Sequence, residues 1–190
     1  MGFQPKQSIL FTREWAMSSA WTFTIKPIDE LLKRYVGDGT GWFDPFAGNT
    51  SPAEFTNDMN PERQAEFHME AVDFCHQLPT LTNRETFKGI LFDPPYSNRQ
   101  IAEHYQGIGK SARALDTSAN FYSRVKNAAA PLIEPGGLAI SFCWNSVGFG
   151  KKHGFEIVEI MLVSHGGSKN DTIVTVERKL QSTLFQGDSQ

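Results

Sequence analysis

Residues 92–97 read Phe-Asp-Pro-Pro-Tyr-Ser and close an apolar run that begins at Phe87. Pro94 and Pro95 have no backbone N–H and fix φ, so a strand must stop there. Beyond Phe92 the chain becomes a stiff loop that presents the Asp93 carboxylate, two proline carbonyls and the ring of Tyr96. Such a loop can accept hydrogen bonds through oxygen and stack a planar group. A second apolar stretch, Gly41-Trp42-Phe43, also ends in Asp-Pro, at Asp44-Pro45, and opens into Phe46-Ala47-Gly48-Asn49. Here a carboxylate adjoins a glycine, and a glycine lets a ligand approach the backbone closely. Either stretch alone reads equally well as a strand end with a turn.

The elements around these two loops decide what they are for. Pro27 sits well in the first turn of a helix that carries Ile28, Leu31, Leu32 and Tyr35 at helical spacing and ends in the glycines of 37–41. Short strands are expected at 41–44, 53–58, 65–71 and 87–93, a helix-like segment from Pro61, and a helix over 72–78. A further helix is expected over 118–133, then a strand at 138–144. The segments 155–165 and 172–180 alternate apolar and polar residues around Gly-Gly-Ser-Lys-Asn-Asp, which marks an antiparallel hairpin. Residues 1–22 read as irregular, and those beyond 180 as a loose tail. Strands alternating with helices imply an α/β fold: a mostly parallel twisted sheet with helices on both faces. In such sheets ligands sit outside the carboxyl ends of the strands, at the switch point of strand order. Asp44 and Asp93 both lie at carboxyl ends.

At 190 residues the chain suits one domain with a buried sheet core, here 1–180, with no separate target-recognition domain. Cys75 and Cys143 lack metal spacing and read as reduced thiols; the five His are scattered, so no metal is expected. No apolar run has membrane-spanning length and the first residues lack a secretion pattern, so a cytoplasmic location is the default. The net charge of −3 argues against a polyanion partner, yet residues 93–153 carry seven Lys and Arg against four acids. A locally basic face on an acidic body is compatible with nucleic acid.

In order along the chain, Phe-Thr-Ile-Lys-Pro-Ile (23–28), Asp-Pro-Phe-Ala-Gly-Asn (44–49), Asn-Asp-Met-Asn (57–60), Met-Glu-Ala (69–71), Asp-Pro-Pro-Tyr (93–96) and Glu-Pro-Gly-Gly-Leu-Ala-Ile-Ser-Phe (134–142) resemble the S-adenosylmethionine-dependent amino-methyltransferases of DNA bases. The likeness spans roughly 22–179 and is strongest to small adenine-specific enzymes of the bacteriophage kind. It implies a Rossmann-like class I methyltransferase fold and S-adenosyl-L-methionine as cofactor. Asp44, Pro45, Phe46, Gly48 and Asn49 would then line its methionine end. Asp58 would accept hydrogen bonds from the ribose hydroxyls, and Glu70 with Ala71 would meet the adenine amine. Thr24, Lys26 and Pro27 would pack near the methionine carboxylate, with Lys26 as its counter-charge. Only six residues, 49–54, separate Gly48 from the next strand, so the first crossover helix must be reduced to a turn. Its N-terminal dipole would be lost to the cofactor carboxylate, which shifts that burden to 23–28.

The resemblance gives the Asp-Pro-Pro-Tyr loop its chemistry. Adenine's exocyclic amine is a weak nucleophile because its lone pair is delocalised into the ring. Hydrogen bonds from its two protons to the Asp93 carboxylate and the Pro94 carbonyl would position the nitrogen and favour its pyramidal form. Pro95 stiffens the loop, and Tyr96 offers a ring for the base to stack on. The partner is expected to be double-stranded DNA with the adenine flipped out, at a cost of a few kcal/mol. Residues 97–117 would form a mobile lip, with Ser97, Arg99, Lys110 and Arg113 on the nucleic acid. Asn145, Lys151 and Lys152 would lie on the same sheet edge, and Trp144 reads as a core residue. So short a lip implies a short or degenerate recognition sequence unless a homodimer lengthens the footprint. RNA adenine, cytosine N4 and a non-catalytic cofactor-binding subunit remain as alternatives.

Overall fold

The computed structural model describes residues 8–95, 119–167 and 169–181 of the chain. In order these form β1 (Leu10–Trp15), α1 (Lys26–Tyr35), β2 (Trp42–Asp44), β3 (Phe55–Thr56), α2 (Ala71–Thr82), β4 (Phe87–Phe92), α3 (Ala119–Ala129), β5 (Ile133–Cys143), β6 (Phe155–Ser164) and β7 (Thr172–Lys179). The strands make one sheet in the order β1-β6-β7-β5-β4-β2-β3, parallel throughout except for β7, which runs against both neighbours. The order reverses at β2: the chain passes from β2 outward to β3, then returns to place β4 on the other side of β2.

Local chemistry accounts for the helices. Pro27 lies in the first turn of α1 with Asp29, and Lys33 and Arg34 lie in its last turn, so the charges oppose the helix dipole. Ile28, Leu31 and Leu32 of α1 are buried against Leu91, Ile140, Phe142, Val174 and Val176 on one sheet face. The N-terminus of α2 is capped by Glu70, whose Oε2 accepts from the Val72 N–H at 3.4 Å, and its end is turned by Asn83 at φ 50°. α2 and α3 cover the opposite face, where Phe74, Leu78 and Val125 meet Phe43, Phe87, Ile90 and Ala139. Phe87 sits edge-on to both Phe43 (5.3 Å between centroids) and Phe55 (5.7 Å), bridging β2, β3 and β4. Gly89 is required there, because a Cβ would lie 2.6 Å from the Trp42 ring and 2.7 Å from the Leu138 carbonyl.

Three expectations are corrected. Residues 10–15, read as irregular, are an edge strand; its side chains are nearly all exposed, so its pairing with β6 leaves no apolar pattern to read. The expected strand at 65–71 is reduced to one bridge between Asn57 and Phe67. There the Asn57 amide substitutes for a ladder, donating to the Pro45 and Met69 carbonyls and accepting from the Met69 N–H. The helix expected from Pro61 is a run of turns, since Asp58 and Asn60 side chains capture the N–H groups of Asn60 and Glu62. Residues 49–54 contain no helix, as their number requires.

Phe87→Ala is expected to lower the unfolding free energy by about 3–5 kcal/mol in urea, against under about 0.5 kcal/mol for the exposed Leu81→Ala. Equal effects would show that the aromatic bridge across β2, β3 and β4 does not hold the sheet together.

Candidate cofactor and catalytic site

β2 is flanked on both sides by parallel partners, Phe43 facing Phe55 of β3 and Ile90 of β4. That pairing buries its last residue, Asp44, completely. One Asp44 oxygen accepts from the Phe46 N–H at 2.8 Å and the other from the Ser51 hydroxyl at 2.7 Å. Burial drives its pKa up to about 8; the two hydrogen bonds oppose this, and the charges of Asp93 and Asp58 add to it. Asp44 therefore shapes the 45–51 loop from beneath.

Gly48 has φ +56°, and a Cβ there would meet the Trp21 ring at 3.1 Å. Its N–H donates to Asp58 Oδ2 at 3.1 Å, while Asp58 Oδ1 accepts from the Asn60 N–H at 2.8 Å. Each Asp58 oxygen thus takes one backbone N–H and has a second lone pair with which to accept another donor. Pro45 serves through its carbonyl, which takes Asn57, and Phe46 packs edge-on to Phe92 (5.6 Å) and Phe121 (6.0 Å). Asn49 accepts from the Gln64 N–H at 3.0 Å and so ties down the loop beyond Asp58.

Beyond β4, Asp93 and Pro95 are half-buried and Pro94 is buried. The Tyr122 hydroxyl, from α3, donates to the Pro95 carbonyl. Lys126, one turn further, lies 5.4 Å from the Phe92 ring centroid and donates to the Gly148 carbonyl. Its ammonium is partly desolvated, which lowers its pKa, and Glu177 opposes the shift. Since Phe121 touches Phe46 and Tyr122 holds Pro95, α3 braces both loops. The structure thus brings Asp44, Gly48, Asp58, Asp93 and Pro94 to one edge.

The remaining expected residues occupy varied places. Thr24 donates to the Trp21 carbonyl at 2.8 Å and fixes the turn that presents Trp21. Lys26 is 86% exposed, with Glu30 at 4.0 Å, and Pro27 is half-buried beside it in the first turn of α1. Glu70 caps α2, whose first residue is the buried Ala71. Asn145 lies just past β5 at the carboxyl edge, accepting from the Val147 N–H. Lys151 and Lys152 are not on that edge: β6 runs parallel to β5, so residues 144–154 must cross the sheet, and the pair lies by the amino end of β6. Trp144 is 45% exposed rather than in the core. Tyr96, Ser97, Arg99, Lys110 and Arg113 lie outside the described residues. Sequence reading misses Trp21, which carries no motif, and Arg63, whose guanidinium lies 5.3 Å from the Trp21 ring centroid. Arg63 sits in a polar run with no period to single it out. It also misses a cavity of about 290 Å³ between α1, β1 and β6, lined by residues including Thr12, Arg34 and Glu159.

No protein-family model and no curated protein matches the chain. Solved structures do. TrmN from Thermus thermophilus is similar over 82% of this chain and 49% of that one, at 18% identity and TM-score 0.52. The 1,6-didemethyltoxoflavin-N1-methyltransferase of Burkholderia thailandensis, with 1,6-didemethyltoxoflavin and S-adenosylhomocysteine bound, is similar over 82% and 78%, at 12% identity and TM-score 0.53. The fold is that of the class I methyltransferases. The N-methyltransferase NodS from Bradyrhizobium japonicum WM9 matches over 82% and 96%, at 10% identity and TM-score 0.52. The chain spans about half the length of TrmN.

Asp44 supplies a pH signature. Its folded pKa of about 8 exceeds its ordinary 3.8, so between those values the folded state holds a proton that the unfolded state has lost. The Asp44 contribution is then most favourable at low pH and declines as pH rises through that window. The unfolding free energy of the wild type relative to Asp44→Asn is expected to fall from roughly pH 4 to roughly pH 8 and level off above. A difference that is flat over that range would mean that Asp44 ionises as it does in water.

Proposed function

We propose that the chain is an S-adenosyl-L-methionine-dependent methyltransferase acting on the exocyclic N6 amine of adenine in DNA. The observation that carries this reading is one juxtaposition. A glycine loop latched by Asp58 and a rigid Asp93-Pro94-Pro95 loop leave neighbouring strands, β2 and β4, at the switch point. The residues fit the cofactor: Gly48, with no side chain and φ +56°, brings bare backbone to the edge, and Asp58 retains acceptor capacity for ribose hydroxyls. Two of the similar structures are named as N-methyltransferases, one of them with S-adenosylhomocysteine.

The carboxylates of Asp44, Asp58 and Asp93 lie close enough for the last two to raise the pKa of the first. With Asp44 protonated below about pH 8, the negative charge at this edge is that of Asp58 and Asp93, and two neighbouring carboxylates favour a cationic ligand. S-Adenosyl-L-methionine supplies an electrophilic methyl group on a sulfonium and departs as a neutral thioether. The chain's own part is to hold the nucleophile. With the Pro95 carbonyl taken by Tyr122, the Asp93 carboxylate and the Pro94 carbonyl are the acceptors that would meet the two amine protons. They orient the nitrogen lone pair, and Asp93 can take the proton that becomes acidic once the nitrogen is methylated. Tyr96 would stack the flipped base, while Arg99, Lys110 and Arg113 would meet phosphates. Lys151 and Lys152, at the far edge, have no part in this. A lip this short supports a recognition sequence of only a few base pairs.

Incubation with labelled S-adenosylmethionine and either DNA or RNA, with nucleoside analysis of the product, is expected to return N6-methyl-2′-deoxyadenosine. Exclusive labelling of RNA, or of cytosine N4, would overturn the substrate assignment. Asp93→Ala is expected to lower transfer by at least about 10²–10³-fold while leaving cofactor affinity within about twofold. Full activity in that variant would overturn the mechanism.

A further inference from the structure

A zwitterionic amino-acid end needs a partner for its carboxylate, and the short 49–54 connection removes the usual one. Without a helix after Gly48 there is no N-terminal dipole over the glycine loop. Lys26, the cation nearest in sequence to the Thr24-Ile25-Lys26-Pro27 turn, is extended into solvent on α1, with Glu30 as its neighbour. Another cation lies over the ring that borders the loop. Arg63 is half-buried, with its guanidinium against the Trp21 ring, and the edge of that ring is what Gly48 faces.

The backbone that carries Arg63 is held in place at both ends. Asn60 is bound through its N–H to Asp58, the residue that also takes the Gly48 N–H, and the Arg63 N–H donates to the Asn60 carbonyl at 3.1 Å. Immediately after it, Gln64 donates to Asn49, the residue next to Gly48. So the loop is stitched to the glycine loop on both sides of Arg63. Among the described residues, Arg63 forms no ion pair. A guanidinium stacked on an indole keeps its in-plane N–H donors free for a carboxylate, which it matches in shape.

We propose that Arg63, stacked on Trp21 beside Gly48, receives the carboxylate of the cofactor's methionine moiety in place of the missing helix terminus. This rests on the methyltransferase reading above. Trp21 is a positioning residue in it: its ring closes one side of Gly48 and holds the guanidinium over its face.

Calorimetric titration with two probes isolates the contact. S-Adenosylhomocysteine carries the carboxylate; 5′-methylthioadenosine has the same nucleoside but no amino-acid end. Arg63→Gln is expected to weaken S-adenosylhomocysteine by about 10–100-fold, the size of a charge-assisted hydrogen-bond pair. It should leave 5′-methylthioadenosine within about twofold, with Arg63→Lys recovering part of the loss and Lys26→Gln changing neither probe. Trp21→Phe, which keeps a ring, should weaken S-adenosylhomocysteine by less than Arg63→Gln. An Arg63→Gln variant that binds both probes like the wild type, or loses both equally, overturns the assignment, as does selective loss in Lys26→Gln. Wild-type protein that binds neither probe overturns the methyltransferase reading itself and this inference with it. A thermal melt of each variant separates a lost contact from a lost fold.

Discussion

A three-residue strand, Trp42–Asp44, paired in parallel on both sides, is the constraint on which the rest of the structure depends. Double pairing takes its terminal carboxylate out of water, and desolvation costs energy unless polar groups come to it. Phe46 N–H and the Ser51 hydroxyl do so, and in reaching Asp44 they curl the chain into the glycine loop. The same pairing sets the neighbouring β4, so that Asp93 emerges beside that loop. Strand geometry alone thereby places the glycine loop and the Asp93-Pro94-Pro95 loop next to each other.

The loss of the first crossover helix has consequences at the same edge. Trp21, from the turn before α1, lies against Gly48, and the 57–69 segment is bonded to the same loop through Asp58 and Gln64. That segment has almost no ladder of its own. Asn57, fully buried, holds it with three side-chain hydrogen bonds, and Asp58 and Asn49 fasten it further. Buried polar side chains here do the positioning that regular secondary structure does elsewhere in the sheet. At the other end of the sheet the logic differs: Glu159 is fully buried, held by Arg34 and Tyr35, and the raised Tyr35 pKa, about 12, comes chiefly from burial and then from that carboxylate.

Much of this is legible in the sequence because period and punctuation carry it. The α1 stripe of Ile28, Leu31 and Leu32, the β6–β7 alternation and the Asp-Pro strand ends all stem from local rules, and they suffice for the fold and for the two loops. The illegible parts depend on tertiary partners. β1 is an edge strand with Leu10, Phe11 and Trp15 exposed, so no pattern marks it. The misplacement of Lys151 and Lys152 comes from taking sequence proximity to β5 as spatial proximity, when a parallel β6 sends the chain across the sheet. Asp44 reads as a ligand contact because strand-end carboxylates often are; its burial and its bonds to Phe46 and Ser51 depend on partners that no local pattern announces. Arg63 and Trp21 are 42 positions apart and meet only in the folded chain, so no local pattern pairs them.

The central claim is that the cofactor sits where the carboxyl ends of β2 and β4 adjoin. Amide NMR of the ¹⁵N-labelled protein titrated with S-adenosylhomocysteine tests it directly. The largest shift changes are expected at Phe46, Ala47, Gly48, Asp58, Asn60 and Asp93, with little change in β1 and β6. Shifts centred instead on Thr12, Arg34 and Glu159, around the cavity between α1, β1 and β6, would contradict it.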